Sequence, residues 1–482
     1  MLGLEINESQ NVTSSKVPVM PTGISSDANP AGAYAASFAS GMSSDTQEKL
    51  CAMLSNGNPL ASVELVVGDG GAVFVSTEES EAVAYITRDS TTTEYSSLAE
   101  ATAAAVDGDT VYVNVDLSVD EIAESSSETS ASLAFTVDLN GYDVAMITCE
   151  SSQNVTVIDS SENATSSVTG YEDSLLYGIV QEGSGTLTLD GITVDAQNVS
   201  GSVNYGVYVE SGTVKLQNCT INVDATSGSV HAVGLMGGNV VASGTKIYAE
   251  AANASSLRSV AVYVADSSSS AELDGCTLSA TGVSELVAGA YIRYGSLSAS
   301  TGSEDEEMSL AAEAAGSTNS AYGVYAFSVT SVSLSGCALD ATTEEDSTGA
   351  SWCVYAPGSS SSSGTYGADI ALGGEMSFES TSGYFVYHAV EALQIASDFS
   401  VPDDDVVTLQ SVSLAGDHVF ATPAEEGGSL SSMKSLFAAA AASDNTYLGW
   451  QVSVNDDGSL SWSKKCVATT GGEEYVTLSE AL

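Results

Sequence analysis

One four-residue phrase returns eight times between Tyr177 and Tyr387, and it limits the chain to a stacked repeat. The copies read Tyr177-Gly-Ile-Val, Tyr205-Gly-Val-Tyr, His231-Ala-Val-Gly, Val260-Ala-Val-Tyr, Gly289-Ala-Tyr-Ile, Tyr322-Gly-Val-Tyr, Trp352-Cys-Val-Tyr and Tyr384-Phe-Val-Tyr. Their start-to-start spacings are 28, 26, 29, 29, 33, 30 and 32 residues. A second phrase follows most copies: Leu187-Thr-Leu-Asp-Gly-Ile-Thr-Val, Val214-Lys-Leu-Gln-Asn-Cys-Thr-Ile, Ala271-Glu-Leu-Asp-Gly-Cys-Thr-Leu and Val332-Ser-Leu-Ser-Gly-Cys-Ala-Leu. Such self-similarity means units that lack a core until their neighbours cover them.

Within each unit apolar residues alternate with small or polar ones, the period of a strand. Val207 and Val209 fall on one face with Tyr208 opposite, and Val262 and Val264 flank Tyr263 in the same way. Helical repeats would need apolar residues at i, i+3 and i+4, and these units show none. Three short strands and three turns consume about 25–30 residues, which is one coil of a parallel β-helix. The predicted fold is all-β: a β-solenoid with coils of 26–33 residues, right-handed as long coils usually are. About eleven coils at about 4.8 Å each would make a rod of roughly 50 Å.

Cys219, Cys276 and Cys337 share one slot in alternate coils, with Ile192 and Thr245 in two others. Two coil spacings are roughly 10 Å, beyond the reach of a disulfide, so this row is expected to pack as small buried hydrophobes. Cys51, Cys149, Cys353 and Cys466 form no CxxC or Cys/His spacing, and no zinc site is readable.

Ten Lys+Arg against 63 Asp+Glu give a formal charge of −53. Nucleic acid binding rests on Lys and Arg, so it is excluded as a function class. Anionic membranes and acidic polysaccharides would be repelled. Met1 opens no signal peptide, and the longest apolar run, about Leu436 to Ala442, is far too short to span a membrane.

Two phrases near the start recur near the end. Val67-Gly-Asp69-Gly-Gly-Ala-Val73-Phe-Val75 and Val454-Asn-Asp456-Asp-Gly-Ser-Leu460-Ser-Trp462 both read as hairpins. Glu94-Tyr-Ser-Ser97-Leu-Ala-Glu100-Ala matches Glu474-Tyr-Val-Thr477-Leu-Ser-Glu480-Ala, and each carries a capping box. The offsets, 387 and 380 residues, suggest a tandem module of that size. On that expectation residues 1–93 are the tail of one module, with a short helix from Ser44 to Leu54. Residues 94–400 are the solenoid, entered by a helix over Ser97–Val106 that plugs its first coil. Residues 401–482 hold the exit, with strand Val406–Leu414, a helix near Ser432–Ala442, the second hairpin and the start of a further module.

The coil phrases with their Gly-Cys-Thr-Leu-type second strand resemble the pectin-lyase-like right-handed parallel β-helices. The lead-in Glu94 to Ala101, then Asp107-Gly-Asp109-Thr-Val-Tyr-Val and Val137-Asp-Leu-Asn-Gly, resembles repeat openings in large bacterial surface adhesins of that fold. The resemblance covers about residues 94–400 and implies a secreted or cell-surface protein, its signals lying outside residues 1–482. It specifies fold more than activity, because the fold hosts enzymes and binders alike. Enzymes of the fold resemble one another in an arginine base beside calcium-binding aspartates, or in Asn-Thr-Asp, Gly-Asp-Asp, Gly-His-Gly and Arg-Ile-Lys phrases. Those four phrases are absent. Arg88, Arg258 and Arg293 sit in no such motif, and His231, His388 and His418 are isolated. The expectation is a non-enzyme, with a polysaccharide lyase or paired-carboxylate glycosidase as the alternative.

Tyr208, Tyr263, Tyr325, Tyr355 and Tyr387 share the fourth slot of the phrase, opposite the inward valines. Aligned on stacked coils they would form an interrupted aromatic stripe able to stack against sugar rings. The plainer account is that tyrosine suits an exposed strand face and gains from its neighbours. Glu304, Asp305, Glu306 and Glu307 form an acidic run in the longest coil, followed by Glu344-Glu-Asp346 and Asp403-Asp-Asp405. These lack the spacing of known calcium loops, so weak calcium uptake is the most they suggest and no cofactor is expected. The partner expected is a carbohydrate or host-surface receptor. A purely structural stalk is the second alternative.

Overall fold

A computed structural model describes residues 4–6, 17–19, 33–38, 54–56, 64–67, 72–76, 82–124, 133–161, 166–172, 175–252, 258–302, 307–327, 330–361, 364–388, 392–402, 405–411, 418–439, 450–464, 468–470 and 473–475. The chain divides into two compact units, residues 1–83 with 94–96, and residues 84–93 with 97–482.

The larger unit is a right-handed parallel β-solenoid of about ten turns. Each regular coil contributes three strands, as in Val203–Val209, Thr213–Gln217 and Thr220–Ala225. The first kind carries the repeated phrase and forms an aromatic face. The second kind stacks into a middle face, and the third into a closing face. Pairing between coils is parallel and in register: Val207 lies beside Val233, Val214 beside Val240, and Ile221 beside Ile247. The inward valines are fully buried, with Val207, Val209, Val262 and Val264 all at 0% exposure.

The corner between middle and closing faces explains the Gly-Cys phrase. Gly191, Asn218, Gly244, Gly275 and Gly336 all take positive φ there. Glycine and asparagine are the residues that enter this region at least cost. The next residue turns into the core, and this is the cysteine slot. Cys219, Cys276 and Cys337 are buried and free, with Thr245 Oγ1 accepting the Cys219 N–H at 3.3 Å and Met308 beside Cys337. Burial pushes the Cys219 thiol up to about 11 and that of Cys337 to about 12, which keeps them protonated and inert. Cys51 and Cys466 lie outside the described residues.

Both ends of the middle face change from parallel to antiparallel pairing. At its start Ala84–Arg88 runs antiparallel to Thr110–Val113, and Thr91–Tyr95 is the outermost strand. At its finish Val419–Pro423 pairs with Leu460–Lys464, which pairs in turn with Trp450–Val454. The hairpin predicted around Asp456 is therefore the far edge of the middle face. Parallel pairing continues past residue 400, through Leu393 beside Ala421 and Val407 beside Phe437.

The sequence predicts a helix over 97–106, and a helix spans Leu98–Ala104 with Ser97 as its N-cap. Ser97 Oγ accepts the Glu100 N–H at 3.1 Å, and Leu98, Ala101 and Thr102 are buried. Thr102 Oγ1 accepts the Ala123 N–H and Asp120 Oδ2 that of Leu98, which ties the helix to the neighbouring strand Leu117–Ile122. Its last turn is held by a cation, as the helix dipole favours. Arg88 Nη2 donates to Ala104 O at 2.8 Å, and Arg88 Nε donates to both Asp109 oxygens at 3.0 Å. Burial alone would raise the Asp109 pKa, but Arg88 and the Val106 N–H outweigh it and hold it below the usual range. Asp109→Ala is expected to cost about 1.5–3 kcal/mol in urea unfolding. Because the folded pKa is depressed, that contribution is complete above the unfolded value of about 3.9 and fades as pH falls through the folded one. A penalty unchanged at pH 2 would contradict the ion pair.

Two predicted helices are corrected. Leu54, expected in a helix, belongs to strand Leu54–Asn56, while residues 44–53 lie outside the described residues. Of the helix predicted near Ser432–Ala442, residues 434–439 instead make one 3-10 turn, Lys434–Leu436, and then strand Phe437–Ala439, while residues 440–442 lie outside the described residues. Phe437 is recruited by packing, with its ring 5.7 Å from Phe399 and 6.0 Å from Phe420.

The smaller unit contains a four-stranded sheet in the order Leu4–Ile6, Ala33–Phe38, Ala72–Ser76, Glu64–Val67. Its last two strands form the hairpin predicted around Asp69, with Val67 opposite Val73. A separate parallel pair joins Val17–Val19 to Leu54–Asn56.

Candidate functional site

The repeated phrase builds an aromatic ladder along one face of the solenoid. Its second residue is the key to the geometry. Between coils the first, third and fourth positions pair, whereas the second is skipped, as in Tyr205↔His231, Val207↔Val233 and Tyr208↔Gly234. A Cβ on Gly206 would lie 2.7 Å from Ile221 Cγ2, so this position points at the closing face and admits only small residues in the central coils. Regular alternation would put positions one and four on opposite sides. The irregular second position brings them together: Tyr205 and Tyr208 touch edge to face at 5.0 Å.

The register of one coil is corrected. Val260 pairs with Ala288, Val262 with Ala290 and Tyr263 with Tyr291. The fifth copy is therefore Ala288-Gly-Ala-Tyr291, one residue earlier than the sequence suggested. Tyr291 fills the apparent gap between Tyr263 and Tyr325.

Ring contacts run unbroken from Tyr177 to Tyr387. Tyr177 stacks on Tyr205 at 5.7 Å, Tyr205 meets His231 at 5.4 Å, and His231 stacks on Tyr263 at 4.4 Å. The path continues through Tyr291 at 5.3 Å, Tyr325 at 4.9 Å, Tyr355 at 5.2 Å and Tyr387 at 4.9 Å. Tyr322 and Trp352, from the first position, join it at Tyr325 and Tyr355. Where one position lacks a ring the other supplies it: Gly234 lies under the Tyr205 ring, and Val260 and Ala288 leave room for Tyr263 and Tyr291.

The five predicted tyrosines all lie on this ladder, yet they differ in exposure. Tyr263 is 4% exposed and Tyr291 7%, packed beneath Met236, Leu286 and Phe327. Tyr208, Tyr325, Tyr355 and Tyr387 are half-buried. The expectation of an open stripe is thus corrected at its centre, where the rings cover one another. Burial raises the hydroxyl pKa of Tyr208, Tyr325 and Tyr355, so these groups stay neutral donors.

Two of the three arginines also sit here. Arg258 lies 5.4 Å from the centroid of Tyr291, and Arg293 lies 5.5 Å from that of Tyr294. In a chain of charge −53 this is a local concentration of cations on aromatic faces. The sequence reading missed the arginines, and missed Tyr205, Tyr322 and Trp352 as members of the ladder.

The acidic candidate is divided. Glu304, Asp305 and Glu306 lie outside the described residues, and Glu307 is exposed. Among the described residues no cluster of three His, Cys, Asp or Glu side chains could hold a metal ion. None of the described helices is long and apolar enough to cross a membrane. The assignment therefore rests on the chain's own geometry: no family model, curated protein or solved structure matches it.

Proposed function

We propose that the chain is a non-catalytic segment of a large secreted or cell-surface bacterial adhesin. Its solenoid acts as a rigid spacer, and the half-buried end of the ladder contacts carbohydrate. The observation that carries this reading is the graded exposure of a continuous aromatic row. Tyr325, Tyr355 and Tyr387 offer ring surface on consecutive coils about 4.8 Å apart, with hydroxyls that can hydrogen-bond a sugar. Neutral or cationic glycans suit the surface, since the charge of −53 repels acidic ones. The buried middle of the ladder favours a second reading, a stalk whose rings only stiffen the stack.

A glycan array probed with the full chain, with and without calcium, separates the readings. Tyr325→Ala and Tyr355→Ala are each expected to weaken a saturable hit about fivefold, the equivalent of about 1 kcal/mol. A hit insensitive to both variants, or dependent on calcium, moves the contact to the acidic loops. No hit leaves the stalk, and release of oligosaccharide would instead make the protein an enzyme.

A further inference from the structure

The sheet of residues 1–83 reproduces the last strands of the solenoid, pair for pair. In the larger unit the middle face ends in the order Leu393–Ile395, Val419–Pro423, Leu460–Lys464, Trp450–Val454. The smaller unit has Leu4–Ile6, Ala33–Phe38, Ala72–Ser76, Glu64–Val67 in the same order. The registers agree as well. Leu4↔Ala36 corresponds to Leu393↔Ala421, and Tyr34↔Phe74 to Val419↔Ser461. Val67↔Val73 corresponds to Val454↔Leu460. Even the irregularity recurs, as a register shift between Tyr34 and Ala36 and another between Val419 and Ala421. The parallel pair Val17↔Leu54 matches Val407↔Phe437 at the end of the other long sheet.

Six strands, two separate sheets and one bulge in common are more than local hairpin preference produces. Short hairpins recur by chance; a mixed parallel and antiparallel order with a shared bulge is a property of one fold. In the larger unit these strands have a further neighbour. Leu393–Ile395 pairs on its other side with Asp369–Gly373, and Val407–Ser411 with Tyr384–His388. Among the described residues Leu4–Ile6 ends its sheet and Val17–Val19 has one partner, so each presents a parallel edge of unpaired backbone groups.

We infer that residues 1–83 are a solenoid-closing segment whose open edges take the last coil of another module of this same kind, with strands equivalent to Asp369–Gly373 and Tyr384–His388. The interaction is β-augmentation in register, Leu4–Ile6 on the middle face and Val17–Val19 on the aromatic face. It makes closing segments interchangeable between modules, and it does not depend on what the ladder binds.

The test is a swap inside the whole chain, with residues 4–95 replacing residues 393–475 behind residue 392. A chain ending at residue 392 is the control. The swapped chain is expected to melt cooperatively within about 5 °C of the wild type, with amides of Asp369–Gly373 still protected from hydrogen exchange. The truncated control loses that protection. A swapped chain that behaves like the control overturns the inference. A second chain, with residues 84–392 fused ahead of residue 4 of the full sequence, guards against a failure at the junction. There the amides of Leu4–Ile6 and those of Val17 and Val19, which flank the N–H-less Pro18, should exchange at least about 100-fold more slowly than in the unextended protein. Unchanged exchange would equally count against it.

Discussion

Gly212→Val is expected to lower stability by about 3 kcal/mol or more, and to split the melting of the solenoid. Gly212 takes φ +64 in the turn between the aromatic and middle faces. A Cβ there would lie 2.4 Å from the carbonyl oxygens of both Gly183 and Gly185 in the preceding turn. The obstacle is backbone, held by the Thr213 N–H donating to Gly185 O at 3.0 Å, so no side chain can swing aside. A β-branched residue adds the steric cost of positive φ. Because each coil of a solenoid contacts only its neighbours, a broken turn uncouples the coils on either side. Gly191→Asn is the matched control. Gly191 takes φ +68 with open space around its Cβ position, and the equivalent corner one coil on already holds Asn218 at φ 54. That change should stay within about 0.5 kcal/mol. Urea unfolding of both variants by circular dichroism decides the matter: equal midpoints would mean that the turns do not stack at this distance.

The contrast shows what the sequence makes legible. A corner that takes positive φ at Gly191, Asn218, Gly244, Gly275 and Gly336 leaves Gly or Asn at a fixed offset, so these residues announce the turn and Cys219, Cys276 and Cys337 the row behind it. Inward valines at spacing two announce the faces. Three features were hidden because they depend on neighbours. Ala288-Gly-Ala-Tyr291 and Gly289-Ala-Tyr-Ile292 fit the same small-residue pattern, and only pairing with Val260 and Val262 selects the first. Membership of Tyr205 and Trp352 in the ladder follows from the skipped second position, which breaks the alternation used to place them. Asn204 looks like a surface residue, yet it is fully buried, and its Nδ2 donates to the carbonyls of Gly201, Ser227 and Ser229 at 3.1 Å each. A buried amide that ties two neighbouring turns together has no pattern of its own. The run from Lys434 to Ala439 failed in the opposite sense. Its helix formers give a helical propensity that the packing of Phe437 overrides.

The second large effect concerns His231, the one imidazole in the ladder. The ring is 4% exposed, stacked on Tyr263 and tilted against Tyr205, and neither nitrogen has a hydrogen-bond partner. Burial, then the charge of Arg258, pulls its pKa down to about 3. The folded value lies below the unfolded one of about 6.5, so between them the unfolded chain binds the additional proton. Stability from this group is therefore complete above about pH 6.5 and is lost as pH falls toward 3. From pH 7 to pH 4 the loss should reach about 3 kcal/mol, at 1.36 kcal/mol per unit. His231→Phe keeps a ring in the stack and removes the titration. At pH 7 it should be neutral or stabilising, since it also removes two unpaired polar atoms. Carboxylates elsewhere titrate alike in both proteins, so the difference between their pH–stability curves isolates His231. The expected curve is flat above pH 6.5 and diverges below it, with the variant the more stable. A resonance assigned to the His231 imidazole that titrates near pH 6.5 in the folded protein, or curves that stay parallel to pH 4, would place His231 in water and break the ladder at its narrowest point.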